Sequence, residues 1–240
     1  MSPDNRQHRG APPGDENLFA PDKIAVLRQA TSELSWLLSH GYAGIASLKL
    51  VGDRYMLAHR QRLAVSRAAC ADVNKKKRMA SCRTVESIKG ERLIIDGFNL
   101  IITMEAALSG GVLVICRDDC IRDLASVHGS YRSVLETERA ICLIGEALAD
   151  LRPESVEWLL DRPVSNSGRL AQRISDLALM RRWAWTVKTV FNPDAEILCA
   201  EGVAVTSDSM ILDQADAWIN LNDYLIRKYL PQSWLIDLRS

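Results

Sequence analysis

The sequence predicts an α/β protein: a mainly parallel sheet flanked by helices, preceded by a small helical basic N-terminal domain. Three observations carry that expectation. From Glu91 onward, apolar runs of strand length alternate with stretches long enough for helices. Before that point the apolar residues recur at helical spacing. The charge also divides: residues 1–92 hold 16 Lys and Arg against nine Asp and Glu, whereas residues 93–240 hold 14 against 21, within a chain whose net charge is zero.

The elements follow in order. Residues 1–19 are polar, include Pro12-Pro13-Gly14, and are expected to form a disordered tail. Residues 20–90 form the basic helical domain and linker. A helix begins at Pro21, a favourable first-turn residue, with Asp22 suited to the positive end of the dipole. Ile24, Leu27, Thr31, Leu34 and Leu38 give it one apolar stripe, Trp36 is expected in the core, and Gly41 ends it. A second helix is expected over 57–71, with Leu63, Ala64 and Ala68 inward and Arg60, Arg62 and Arg67 outward. The run Lys75-Lys76-Lys77-Arg78 reads as an exposed connector. So small a unit leans on its neighbour for a core.

Residues 91–240 form the α/β domain. Strands are expected at 92–96, 112–116, 156–161, 185–191, 203–206, 217–221 and 234–237. Helices are expected at 100–109, 119–127, 136–151, 168–183, 210–216 and 222–229. Trp158, Trp183, Trp185, Trp218 and Trp234 flank strand runs and read as core or sheet-edge packing.

Composition narrows the function classes. Hydrophobic residues make up 48% and charged residues 25%, which excludes wholesale disorder. No run approaches 18 apolar residues, so no helical membrane span is expected. The first 20 residues carry charges and three prolines with no apolar core, so a secretory signal is not expected either, and the reading is cytoplasmic. The six cysteines form no Cys-x-x-Cys pair and read as buried small hydrophobes. Cys116, Cys120 and His128 fit no zinc spacing, and His128 reads as a packing or capping residue.

Three strands share one feature, an apolar run closed by an aspartate: Leu-Ile-Ile-Asp96-Gly97, Trp-Leu-Leu-Asp161-Arg162-Pro163 and Ala-Val-Thr-Ser207-Asp208-Ser209. Ligands of open parallel sheets bind beyond the carboxyl ends of the strands. Aspartate is also a common turn residue after a strand, but three such acids on neighbouring strands would meet at one rim. Carboxylates brought together raise one another's pKa, and a divalent cation relieves the repulsion. Mg²⁺ or Mn²⁺ prefers such hard oxygen donors and can activate water for attack on phosphorus.

A second signal lies in Asp161-Arg162-Pro163-Val164-Ser165-Asn166-Ser167-Gly168. A Ser/Asn/Gly turn entering a helix offers free N–H groups to an anion, with Arg162 and Arg169 adding charge. The plainer reading is a helix cap at Ser165 or Ser167, and no Walker loop is present. Arg60, Arg62 and Arg67 are candidates to track a phosphate backbone.

Asp96-Gly97-Phe98-Asn99 and Thr206-Ser207-Asp208 resemble motifs of the PIN-like nucleases, especially the NYN branch, which opens on Asp-Gly-Tyr-Asn and carries Thr-Ser-Asp after a later strand. Phe98 stands in the usual Tyr place. The resemblance covers residues 92–238, and the whole chain is also similar to an uncharacterised prokaryotic family with a small basic N-terminal domain. It implies a Mg²⁺- or Mn²⁺-dependent ribonuclease with Asp96 and Asp208 as metal ligands, Asn99 in support, Asp161 as the middle-strand acid and Ser207 near substrate. The family's remaining acid comes from a helix. Asp118 or Asp119 is favoured here, with Asp123 and Asp213 as alternatives.

Two function classes therefore stand: a nuclease acting on RNA, or an RNA-binding or assembly protein that keeps the fold without turnover. A haloacid-dehalogenase-like phosphohydrolase would need Asp-x-Asp at the first strand, where Gly97 and Phe98 follow Asp96. A receiver-like phospho-acceptor would need a lysine ending a late strand. The oligomeric state is open, a homodimer included.

Overall fold

The computed structural model describes residues 7–125 and 129–239. His128 lies outside them.

A helical layer comes first: α1 (Asp15–Leu18), α2 (Pro21–Ser39), α3 (Gly44–Arg54), α4 (His59–Ala68) and α5 (Asp72–Ser81). The α2 stripe is realised, since Leu27, Ala30, Thr31 and Leu34 are buried, and Gly41 takes a φ of 79° just beyond the helix. Leu27, Ala30 and Leu34 pack with Val51, Leu57, Ala64 and Val65, and the same cluster takes in Val112, Val114, Leu124, Ile236 and Leu238 from the α/β part. One core thus joins the helical layer to the α/β part.

Several expectations are corrected here. From Gln7 the N-terminal segment is described and engaged rather than a free tail: Arg9 pairs with the buried Glu105, and buried Asp15 receives a two-pronged ion pair from Arg60. Helix α3 was not foreseen. The basic run 75–78 is not a connector but the body of α5, and its Arg78 is buried. Trp36 is 57% exposed, lying against His40 instead of the core.

The α/β part contains β1 (Cys82–Arg83), β2 (Arg92–Asp96), α6 (Gly97–Leu108), β3 (Leu113–Ile115), β4 (Ile121–Asp123), α7 (Thr137–Leu151), β5 (Ser155–Asp161), α8 (Ser167–Arg181), β6 (Trp185–Val190), α9 (Pro193–Cys199), β7 (Val203–Val205), α10 (Ser209–Leu212), β8 (Trp218–Ile219), α11 (Leu221–Tyr229) and β9 (Leu235–Asp237). The main sheet has six strands in the order β1-β8-β7-β2-β5-β6, every pairing parallel. A second sheet, β4-β3-β9, is mixed. The helix expected over 119–127 is replaced by β4, which pairs antiparallel with β3. Helix α9, also unforeseen, follows β6.

Strand β2 is central because both its faces are apolar. Leu93 and Ile95 enter the large cluster that contains α6 and α7 residues, while Ile94 enters the cluster on the opposite side with Ile197, Ile211 and Trp218. A run buried on both faces is what a parallel sheet covered by helices requires. Trp158 and Trp218 are buried in the sheet as expected. The cysteines are free; Cys70, Cys116 and Cys120 are buried as expected, but Cys82 and Cys142 are half-buried and Cys199 is exposed, and burial pushes the Cys116 thiol up to about 11. Among the described residues no helix is long and apolar enough to cross a membrane.

Candidate active site

Strands β7, β2 and β5 are consecutive and parallel, so their carboxyl ends open on one edge. The three aspartates expected there arrive together. Asp96, Asp161 and Asp208 line one cavity of about 350 Å³, with Phe98, Asn99, Phe191, Asn192, Asp194, Asp123 and Arg67 among its other walls.

Asp96 ends β2 and caps α6, accepting from the Asn99 N–H at 3.5 Å. Its other oxygen accepts from Thr206 Oγ1 at 2.9 Å. Gly97 is needed beside it, because a Cβ there would stand 2.6 Å from Leu160 Cδ2 and 3.0 Å from the Leu159 carbonyl oxygen. Burial pushes the Asp96 carboxyl up to about 7; Asp208 and Asp194 push the same way, against the hydrogen bonds from Thr206 and Asn99.

Asp208 caps α10, accepting from the Met210 N–H at 2.7 Å. Asn99 is oriented from the neighbouring strand end: its Oδ1 accepts from both the Ser207 N–H and the Ser207 hydroxyl, each at 2.9 Å. Ser207 is itself buried, so it positions Asn99 instead of meeting substrate as expected. Asp161 is raised by burial alone, and its Oδ1 is buried without a hydrogen-bond partner.

A fourth acid was missed. Asp194 stands in the first turn of α9, beyond the end of β6, and is raised by burial and by Asp208 and Asp161. Its signal was Asn192-Pro193-Asp194 after a strand, with a capping Asn and a first-turn Pro. Four adjacent strand ends therefore feed acids to one cavity.

The helix-acid expectation resolves differently. Asp118 is not a cavity ligand: it is 1% exposed and clamped by Arg78 at 2.6 Å and by Arg122 at 2.7 and 2.8 Å. Burial opposes ionisation, but the two guanidiniums hold its carboxyl well below the usual carboxylate range. Asp119 pairs with Arg239, and Asp213 with Arg78. Of the four candidates only Asp123 lines the cavity, on a strand and not a helix, accepting from Thr103 Oγ1 at 2.7 Å.

The basic candidates also separate. Arg60 is bound to Asp15, and Arg62 to Asp53 and the Leu57 carbonyl, so neither is the outward-facing backbone contact expected. Arg67 lines the acid cavity, donates to the Ala125 carbonyl at 2.9 Å, and forms no ion pair among the described residues. Arg162 lies over the Phe191 ring at 4.8 Å. Ser165 exchanges backbone hydrogen bonds with Gly129 and Tyr131. Asn166, at a φ of 69°, donates to the Tyr131 carbonyl and does not cap α8 through its side chain. Asn166 and Arg169 line a neighbouring cavity of about 380 Å³, apart from the acids.

Among the described residues, no three Asp, Glu, His or Cys side chains already stand grouped as a metal-binding set. The donor chemistry nevertheless fits a hard divalent cation. The acids are oxygen donors, one carries an orphaned buried oxygen, and burial, with their mutual repulsion adding to it, raises the pKa of two of them.

Fold and cavity define a parallel α/β protein with an acidic pocket at the carboxyl edge of its sheet and a helical domain packed alongside. The chain belongs to the family described as Domain of unknown function (DUF5616), which matches residues 85–224, and residues 26–80 match Protein of unknown function (DUF434). It is 32% identical over 186 residues to an uncharacterized protein of Methanocaldococcus jannaschii, covering 78% of this chain and 88% of that relative. No solved structure matches.

Proposed function

We propose that this protein is a divalent-metal-dependent nuclease that hydrolyses RNA phosphodiester bonds, with a PIN-like α/β domain. The observation that carries the reading is the meeting of Asp96, Asp161, Asp194 and Asp208 in one cavity that is also lined by Arg67, a guanidinium with no ion pair among the described residues. Acids to hold a cation beside an arginine to hold an anion is the charge pattern a phosphodiester site needs.

Asp96 and Asp208 would hold Mg²⁺ or Mn²⁺, with Asp161 and Asp194 beside them. When bound, the metal supplies Lewis acidity toward the phosphate and lowers the pKa of its water. The chain's own residues do the rest. Thr206 fixes one oxygen of Asp96 by donating to it, leaving the carboxylate one defined orientation. Ser207 occupies the carbonyl end of Asn99, so only the amide N–H donors of Asn99 are left for the cavity. Arg67, tethered at Ala125, presents its remaining donors to a phosphate oxygen.

Purified protein should cleave RNA with Mn²⁺ or Mg²⁺ and stop with chelator. Asp208→Asn keeps a good helix cap, so it should abolish cleavage while the protein stays folded. Unchanged cleavage in Asp96→Asn and Asp208→Asn would remove the assignment.

A second reading is an RNA-binding protein of the same fold without turnover. That version predicts salt-sensitive RNA binding that survives both substitutions.

A further inference from the structure

Beyond the acids, the rim of the cavity carries an exposed aromatic ring that the phosphodiester chemistry leaves unused. Phe191 lines the acid cavity and is 72% exposed. Other large apolar side chains are exposed as well, and what distinguishes Phe191 is its place at the mouth of a charged cavity. Its position is built by the sheet. Asp161 and Val190 are register partners on β5 and β6, and the Arg162 N–H donates to the Val190 carbonyl at 2.7 Å, extending the pairing one residue past the strand ends. That step places Arg162 and Phe191 side by side just beyond the acids, with the guanidinium 4.8 Å from the ring centroid. Arg162 is exposed and forms no ion pair among the described residues, so the ring organises its cation without a carboxylate.

We infer that Phe191 and Arg162 form a subsite for one unpaired nucleobase, stacked on the face of the Phe191 ring opposite the Arg162 guanidinium. The subsite selects single-stranded nucleic acid for the cavity beside it. This rests on the nuclease reading and names its substrate class. Aromatic rings accept any base through its π-face, and arginine adds a cation–π contribution. A paired base inside a duplex has both faces covered by its neighbours and cannot occupy the ring. Asp161 precedes Arg162 directly, so a nucleotide whose base is stacked here has its backbone beside the carboxylates.

The test is binding, measured apart from cleavage. A fluorescently labelled 12-residue oligoadenylate, single-stranded or annealed to its complement, is titrated with protein in Ca²⁺, and anisotropy gives the affinity. The expected result is a preference for the single strand, a loss of about 5- to 100-fold in Phe191→Ala, a similar loss in Phe191→Leu, and recovery in Phe191→Trp. Duplex affinity should be the same in all four proteins. Equal single-strand affinity in wild type and Phe191→Ala, an equal loss for both strand forms, or no binding of either form by wild type would overturn the subsite. Cleavage in Mn²⁺ separates the two claims. Turnover by wild type that Phe191→Ala leaves unaltered removes the base subsite alone. Phe191-dependent binding without turnover in any divalent metal removes the nuclease reading alone.

Discussion

Arg78 donates to Asp118 at 2.6 Å, and both side chains are buried, although one belongs to the helical layer and the other to the α/β part. Arg122 grips the same carboxylate and donates through Nε to the Ser207 carbonyl at 2.7 Å. Ser207 in turn holds Asn99, whose N–H meets Asp96. A continuous chain of charged and polar contacts thus runs from the basic helix α5 to the acid cavity. The positive run that reads as an exposed connector contributes one of its four cations to this internal junction.

Removing one partner of a buried ionic cluster leaves the others uncompensated. Arg78→Ala should therefore destabilise the protein by about 3–5 kcal/mol, measured by urea denaturation, while Lys76→Ala, on the exposed face of the same helix, should change it little. Asp118 adds a pH signature. Its carboxyl is held below the unfolded value of 3.8, so its stabilisation is full above that pH and is lost as the pH falls through the lower folded value. Asp118→Asn should flatten the acid limb of the stability profile.

Asp96 has the opposite sign. Its carboxyl rises from 3.8 to about 7, so the metal-free native state binds the proton more tightly than the unfolded chain. Its contribution is present below about pH 4 and lost as the pH rises through 7, at a cost of up to roughly 4 kcal/mol. Asp96→Asn should raise the melting temperature at pH 8 more than at pH 5. An equal shift at both would show that the carboxyl is not perturbed.

The approach of α6 to β5 depends on Gly97. A methyl group there meets Leu160 and the backbone of Leu159, so Gly97→Ala should cost about 1–3 kcal/mol. It should also displace Asp96, weakening Mn²⁺ binding by more than the loss of stability explains. Calorimetric titration on the folded variant checks this.

Asn99 serves as a hydrogen-bond acceptor within the protein before it serves a ligand. Asn99→Ala leaves the Ser207 N–H and hydroxyl unpaired and should cost about 1–3 kcal/mol. Asn99→Asp keeps the acceptor and adds a charge among the five aspartates of the cavity, so it should be tolerated at low pH and destabilising at high pH.

The convergence of Asp96, Asp161 and Asp208 was legible because each closes an apolar run, and parallel strands deliver their ends to one edge. Asp194 was hidden two residues inside a short helix, after Asn192 and Pro193, where it reads as a helix-start acid. The burial of Arg78 was equally hidden. Four consecutive cations have no apolar rhythm, and only the ion partners Asp118 and Asp213, distant in sequence, identify which one turns inward. Strand β4 was misread because Ile121–Asp123 spans only three residues, too few for an alternation to show.

The central claim is that four strand-end carboxylates serve one divalent cation, and a crystal soaked in Mn²⁺ tests it most directly. The account predicts an anomalous peak inside the cavity at ligating distance from both Asp96 and Asp208, with Asp161 or Asp194 drawn toward it. A cavity without a peak at saturating Mn²⁺, or a peak bound elsewhere while these acids keep their present hydrogen bonds, would contradict it.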